Sequence, residues 1–398
     1  MIKYKTLDDS NFEGMRVLLR LDLNVPMQNG VVSDVSRIKR AIPTIKALLK
    51  RDARVAIISH FGRPNGQFVK AMSLEPLTAV LQKALPNVPV NFFPDCIGPN
   101  VERAIRDMES KQVILLENLR FYSGEERNDP NFAQKLANMG DVFVNDAFSV
   151  SHRAHASTQG VTDFLPCFAG PLMEAELEAL STALEKPTRP LTAIVGGAKV
   201  STKIELLTNL VKLVDKLIIG GGMANTFIFS RGVSIGTSLA ERELTETAKQ
   251  IELLAKTHAC EIILQSDALV AKKLELGVHH QSVSIKNVPH DAMILDAGPN
   301  SIVTFSKHIQ GSKTVLWNGP LGAFEIPPFN KSTLSIARLI ADLSREGKLV
   351  SIAGGGDTLA ALNQATVTEN FNYVSTAGGA FLEWLEGKEL PGVAALRR

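Results

Sequence analysis

Three arginines and two histidines fall at one kind of place in this sequence, beyond a short run of branched aliphatic residues, and a fourth arginine heads the first helical pattern. Asp22 and Asn24 end the run VLLRLDLN, His60 and Arg63 end VAIISHFGR, and Arg120 ends VILLENLR. Asp146, His152 and Arg153 follow VFVN, and Arg37 heads the first helical pattern. Arginine presents a planar fork of donors that matches carboxylate and phosphate oxygens in pairs. One such residue reads as a solvated charge. Several at the same position in successive units point to a site for a small anion.

The second half places glycine where the first places charge. Its corners are Gly196-Gly197, Gly220-Gly221-Gly222, Gly319-Pro320, Gly354-Gly355-Gly356 and Gly378-Gly379. A glycine corner lets a ligand approach the backbone, and where it opens a helix it turns N–H donors toward phosphate. GGGDT before LAALNQA fits such a helix start, with Asp357 placed to reach a metal bound to the phosphates. GGAKVSTK sets Lys199 and Lys203 four apart, which predicts one helical face carrying two cations to the same place. No G-x-x-x-x-G-K-[ST] is present, and GGGMAN lacks the third glycine of a dinucleotide fingerprint. His152 and His155 have helical ligand spacing, but no cysteine or carboxylate pattern completes a zinc set.

These residues need elements that bring strand ends together. Continuous apolar runs of this length suit strands buried on both faces. Helical patterns alternate with them, as in SRIKRAIPTIKALLKR (36–51) and NKSTLSIARLIADLSRE (330–346). That alternation predicts open, doubly wound α/β sheets, which bind ligands beyond the carboxyl ends of their strands. Between 164 and 190, Pro166 and Pro171 precede a stretch with Leu177, Leu180 and Leu184 in helical spacing, and Pro187 and Pro190 follow it. We read it as a helix connecting two lobes; an ordinary surface helix of one larger domain is the alternative. Length and composition agree with two packed lobes: 398 residues, 45% apolar and 21% charged. A net charge of +2 argues for neither nucleic acid nor membrane as a partner. Three scattered cysteines and an N-terminus without an apolar core predict a cytoplasmic protein. One cationic lobe and one glycine-cornered lobe suggest phosphoryl transfer between a nucleotide and a small anion.

At the level of motifs the chain closely resembles the phosphoglycerate kinase family. The match runs through RLDLNVP (20–26), SHFGRP (59–64), LLENLRFYSGEERNDP (115–130), NDAFSVSHRAHAS (145–157) and GGAKVSTK (196–203). It continues through IIGGGMANTF (218–227), WNGPLGAFE (317–325) and GGGDT (354–358) to FLEWLEGKELPGVAAL (381–396). The resemblance implies two doubly wound parallel-sheet (Rossmann-like) domains joined by a connecting helix at about 172–185. Residues 1–170 would bind phosphoglycerate, with 381–398 packing back on them, and 171–380 would bind nucleotide. The implied reaction is reversible, Mg²⁺-dependent, in-line phosphoryl transfer between 1,3-bisphosphoglycerate and ADP after domain closure, giving 3-phosphoglycerate and ATP.

By motif position, Asp22, Asn24, Arg37, His60, Arg63, Arg120 and Arg153 would hold the phosphoglycerate. Lys203, Gly220, Gly221, Asn318, Glu325, Gly354, Gly355, Gly356, Asp357 and Thr358 would hold the nucleotide, with Glu325 at the ribose hydroxyls. Asp357 would be the protein ligand to Mg²⁺. Arg37 and Lys203, supported by Lys199, would stabilise charge on the transferring group. A monomer acting on small molecules alone is expected. Three stretches depart from the family pattern: Ser149-Val150-Ser151 before HRAH, Ala377 in the late glycine corner, and QSDALVA (265–271) in place of a proline-valine-aspartate run. None removes a charged group named above. The competing readings, a nucleotide-dependent oxidoreductase and an inactive two-lobe relative, would need a complete dinucleotide fingerprint or the loss of Arg37, Lys203 or Asp357.

Overall fold

The computed structural model describes residues 4–28 and 30–397. It divides into two compact units, one running to Glu178 and resuming at Glu389, the other spanning Ala179–Lys388.

Each unit is organised by a six-stranded sheet whose paired strands are all parallel. In the first the spatial order is Val90–Phe93, Val113–Leu116, Arg54–Ile58, Arg16–Arg20, Val142–Asn145, Cys167–Ala169. In the second it is Glu261–Ile263, Lys216–Ile219, Leu191–Val195, Thr314–Asn318, Val350–Gly354, Tyr373–Ser375. The central strands are buried along nearly their whole length, which is why they read as unbroken apolar runs. In the first unit, Val17, Leu19, Val55 and Ile57 join Ile38, Ile45 and Leu48 of the helix Ser36–Lys50 in one core. In the second, Ile194, Val315 and Trp317 pack with Ile336 and Ile340 of the helix Lys331–Arg345.

Both sheets reverse direction of growth within their interior, the first with four strands on one side of the switch and two on the other, the second with three on each. The switch lies between Arg16–Arg20 and Val142–Asn145 in the first unit, and between Leu191–Val195 and Thr314–Asn318 in the second. At such a point the chain leaves neighbouring strands toward opposite sides, and a crevice opens beyond their carboxyl ends. A three-stranded antiparallel sheet, ordered His280–Ser284, Asp267–Ala271, Met293–Ala297, joins the second unit. No apolar run announces it: HQSVS is polar and largely exposed.

The helix Pro171–Leu184 forms where the prolines place it, and the boundary between the units falls inside it, between Glu178 and Ala179. Its start is held by Asp146, whose Oδ1 accepts from the Leu172 and Met173 amides at 2.8 and 3.0 Å. At the other end of the chain, residues 381–388 belong to the second unit rather than to a returning tail. Asn209 Nδ2 donates to Leu385 O at 2.7 Å, and Lys388 pairs with Glu205. The return begins at Glu389: the Gly392 amide donates to Ser151 O at 2.8 Å and Cys167 Sγ to Ala395 O at 3.5 Å. Among the described residues, no helix is long and apolar enough to cross a membrane.

Candidate functional site

In the first unit the switch-point corners are stitched together by side chains. Asp22 Oδ2 pairs with Arg37 Nη1 and accepts from Ser149 Oγ at 2.5 Å, and Oδ1 accepts from the Asn24 amide at 3.0 Å. Burial pushes the Asp22 carboxyl up; Arg37 and these hydrogen bonds outweigh it and hold the group below its ordinary value. Asn24 Oδ1 accepts from the Gly62 amide at 3.1 Å, and Arg120 Nη1 donates to Gly62 O at 2.8 Å. Arg120 Nε faces Glu126 at 3.3 Å. Arg63 and Arg153 are exposed, and the Arg37 side chain is 39% exposed. Three guanidinium groups therefore remain open to an incoming anion.

A buried layer supports this surface. Arg20, 1% exposed, donates through Nε to Ser157 Oγ at 2.9 Å, through Nη1 to Leu21 O and through Nη2 to His60 Nδ1 at 3.2 Å. Glu125 accepts from the Ser157 amide and hydroxyl at 3.0 and 2.6 Å, so the buried cation has an anion one residue away. A guanidinium only donates, so His60 Nδ1 accepts and its ring hydrogen is on Nε2. Burial, reinforced by Arg20 and Arg120, pushes His60 well below the usual histidine range. Burial and the same two arginines push His155 down to about 4. Both rings are neutral near pH 7.

In the second unit the corresponding corner is made of backbone. A Cβ on Gly196 would lie 1.7 Å from Pro320 O, and one on Gly319 would lie 2.2 Å from Gly196 O. Only glycine permits the two strand ends to approach so closely. Lys203 Nζ sits in this junction, donating to Gly196 O at 2.6 Å and to Asn318 Oδ1 at 2.7 Å. Burial pushes the ammonium down to about 8, partly offset by Asp357. Asn318 Nδ2 reaches Gly354 O at 2.8 Å, and Thr358 Oγ1 accepts from the Gly319 amide at 2.7 Å. Gly355, at φ +100°, turns the chain into the helix Gly356–Gln364, whose N-terminus no side chain caps. Gly220 likewise opens the helix Gly221–Ser230 without a side-chain cap. These helix ends favour an anion. A cavity of about 310 Å³ adjoins them, with Gly197, Gly221, Glu325 and Asp357 in its wall.

Asp357 and Glu325 are both exposed. Among the described residues, no group of three or more metal-ligating side chains occurs. A lone carboxylate at an uncapped helix end suits Mg²⁺, which takes one or two carboxylates and draws its other oxygens from phosphate and water.

Two expectations change. Lys199 and Lys203 do not share a helical face: the helix begins at Ile204, Lys203 is its cap residue, and 196–203 is a turn. Lys203 points inward, whereas Lys199 is exposed near Glu241. Asp146, read as a corner residue facing ligand, is buried and spent on the Pro171–Leu184 helix and on Thr44 Oγ1. Arg20, Glu125, Ser149 and Ser157 went unnoticed as part of the site. The one signal for them was an arginine inside the apolar run RVLLRL.

A family profile for phosphoglycerate kinase matches residues 7–388. A phosphoglycerate kinase of Cereibacter sphaeroides is 54% identical over 393 residues, covering 99% of each chain. One of Chelativorans sp. is 55% identical over 399 residues, covering 100% of each. The solved structure of phosphoglycerate kinase from Coxiella burnetii is similar at a TM-score of 0.92 and 44% identity, covering 99% of each chain. That from Pyrococcus horikoshii is similar at 0.80 and 29%, covering 98% of each. With the profile spanning residues 7–388 and relatives more than half identical along the whole length, this protein belongs to the phosphoglycerate kinase family.

Proposed function

We propose that the chain transfers a phosphoryl group reversibly between the acyl phosphate of 1,3-bisphosphoglycerate and ADP, giving 3-phosphoglycerate and ATP. It is then a phosphotransferase with a carboxyl group as acceptor in the reverse direction. The observation that carries this reading is that each unit holds one oriented cation beside its switch point: Arg37 against Asp22, and Lys203 against Gly196 and Asn318.

A β-phosphate oxygen of ADP attacks the acyl phosphorus, the bond to the carboxyl oxygen breaks, and 3-phosphoglycerate leaves as a carboxylate. No proton need move, so the protein's task is positioning and charge stabilisation. Arg63, Arg120 and Arg153 would bind the oxygens of the glycerate, with His60 Nε2 as a neutral donor among them. Arg37 and Lys203 would stabilise the transferring phosphoryl, and Lys199 would support them from the exposed turn. The Gly354–Thr358 turn would present amides to the nucleotide phosphates, with Gly220 and Gly221 at the neighbouring helix end, and Glu325 would accept from the ribose hydroxyls. Bound at Asp357, Mg²⁺ would neutralise phosphate charge. In-line transfer needs reacting atoms about 3–3.5 Å apart. Turnover therefore runs through a ternary complex, reached by domain closure, in which both ligand sets address one phosphoryl group.

Each ligand set is complete within one chain, which fits a monomer. Three free, buried cysteines fit a reducing compartment such as the cytoplasm. The test is a coupled assay of ATP formation from 1,3-bisphosphoglycerate, ADP and Mg²⁺. Absence of ATP while both ligands bind would overturn the assignment.

A further inference from the structure

Arg63 and Arg120 follow two neighbouring parallel strands, Arg54–Ile58 and Val113–Leu116. The ladder between those strands stops at Ile57 and Leu115, and beyond it the side chain of Asn118 bridges the two chains. Asn118 is fully buried. Its Oδ1 accepts from the Phe61 and Arg120 amides at 3.2 and 3.1 Å, and its Nδ2 donates to Phe61 O and Met72 O at 2.7 and 2.9 Å. All four hydrogen-bonding positions of the amide are filled, every one by backbone. The bond from Arg120 is the ordinary one of a residue capping the short helical turn Leu119–Phe121, and a serine or aspartate would supply it. The other three reach across to the segment that carries Arg63. Two of them need an N–H donor, which neither of those residues has.

We propose that Asn118 is a positioning residue that sets the spacing of Arg63 and Arg120, and through it the affinity of the first unit for a phosphorylated carboxylate. The inference rests on the reading that this unit binds 3-phosphoglycerate. Gly62 lies between the two arginine segments, its amide donating to Asn24 Oδ1 at 3.1 Å and its carbonyl accepting from Arg120 Nη1 at 2.8 Å. Asn118 therefore fixes the backbone on both sides of that contact: Phe61, one residue before Gly62, and Arg120 itself. Arg63 is the residue that follows. Two guanidinium groups that grip one anion work only while their separation matches it, within about 0.5 Å. Without the Asn118 amide, backbone groups of Phe61, Met72 and Arg120 would lose their partner, and the segments would shift to satisfy them.

Calorimetric titration of 3-phosphoglycerate and of ADP into the full chain and into Asn118→Ala tests this. The variant should bind 3-phosphoglycerate about tenfold more weakly and ADP within about twofold of the native chain. Leu81→Ala, cut from the core on the helix Pro76–Ala84, is the control for lost stability alone. It should lower Tm and leave both affinities unchanged. Once Arg63 is gone the spacing no longer matters, so Arg63→Ala with Asn118→Ala should lose far less than the product of the two single losses. Four results would each overturn the proposal: native-like binding of 3-phosphoglycerate by Asn118→Ala, an equal loss for ADP, a similar loss in Leu81→Ala, or losses that multiply in the double variant. Should Asn118→Ala fail to fold, hydrogen exchange on the native chain decides. Bound 3-phosphoglycerate should slow the Phe61 and Arg120 amides together and ADP neither; any other pattern overturns the proposal. Failure of the underlying reading would look different: the native chain itself would not bind 3-phosphoglycerate.

Discussion

The two switch-point corners occupy equivalent places in their sheets, but they are built from different materials. The corner of the first unit is made of side chains held by other side chains: Arg37 by Asp22, Asp22 by Ser149, and His60 by Arg20. The corner of the second is made of backbone, with glycines bringing strand ends into contact and one lysine bonded mostly to carbonyl-type oxygens. The difference teaches where each is fragile. The first should fail when charge is removed, and the second when volume is added.

The largest effect should come from the charge side. Arg37→Ala leaves the fold intact, since the side chain is only partly buried, and should lower kcat by about 10²–10³. A near-normal kcat would remove Arg37 from the transition state. On the volume side, Gly196→Ala should destabilise the second unit by about 3 kcal/mol, because its Cβ would collide with Pro320 O. Gly356→Ala is the control. It meets nothing within 4 Å and opens a helix, so it should be neutral or up to about 1 kcal/mol more stable. Urea titrations of both variants that gave equal midpoints would break the comparison.

Ligand partition sharpens it. Arg63→Ala should weaken 3-phosphoglycerate about tenfold and leave ADP nearly unchanged, and Glu325→Ala should do the reverse. Isothermal titration of each ligand into each variant reads this out, and equal losses for both ligands would contradict the division. A smaller effect is expected with pH. Lys203 titrates near 8, so kcat/KM for ADP should fall as pH rises past that value and the cation is lost. Lys203→Arg should move that limb to higher pH, though with lower activity. The smallest signal belongs to His155, held near 4 against an ordinary 6.5. The unfolded chain binds its proton first as pH falls, so stability is lost from 6.5 down toward 4. His155→Gln should flatten the decline in Tm between about pH 7 and pH 5.

The two corners were also unequally legible in the sequence. Apolar runs and the residues beyond them announced both parallel sheets, and glycine repeats marked the backbone-built corner, because those patterns are local. What escaped depends on partners far away in the chain. Arg20 reads as an interruption of a strand until Ser157 and His60 are brought against it. Asp146 has the same position in its unit as a ligand-facing residue, yet a helix start displaces ligand from it. The spacing of Lys199 and Lys203 implied a shared face only if the helix began before them, and nothing in GGAKVSTK fixes where it begins. The returning tail begins eight residues later than expected, because the helix Gly379–Leu385 is held in the second unit by a distant partner, Asn209.

That tail also bears on the order of assembly. The second unit is one continuous stretch of chain, whereas the first lacks residues 389–397 until all of 179–388 has been synthesised. Gly392 packs on Ser151 so closely that a Cβ there would lie 3.0 Å from its atoms. Ser151 is two residues from Ser149, which helps hold Asp22 and through it Arg37. On the ribosome, where domains fold as units as they emerge, the half that is made first is therefore completed last. A chain released before Glu389 would hold all of the second unit and still lack the segment that packs on Ser151 in the first.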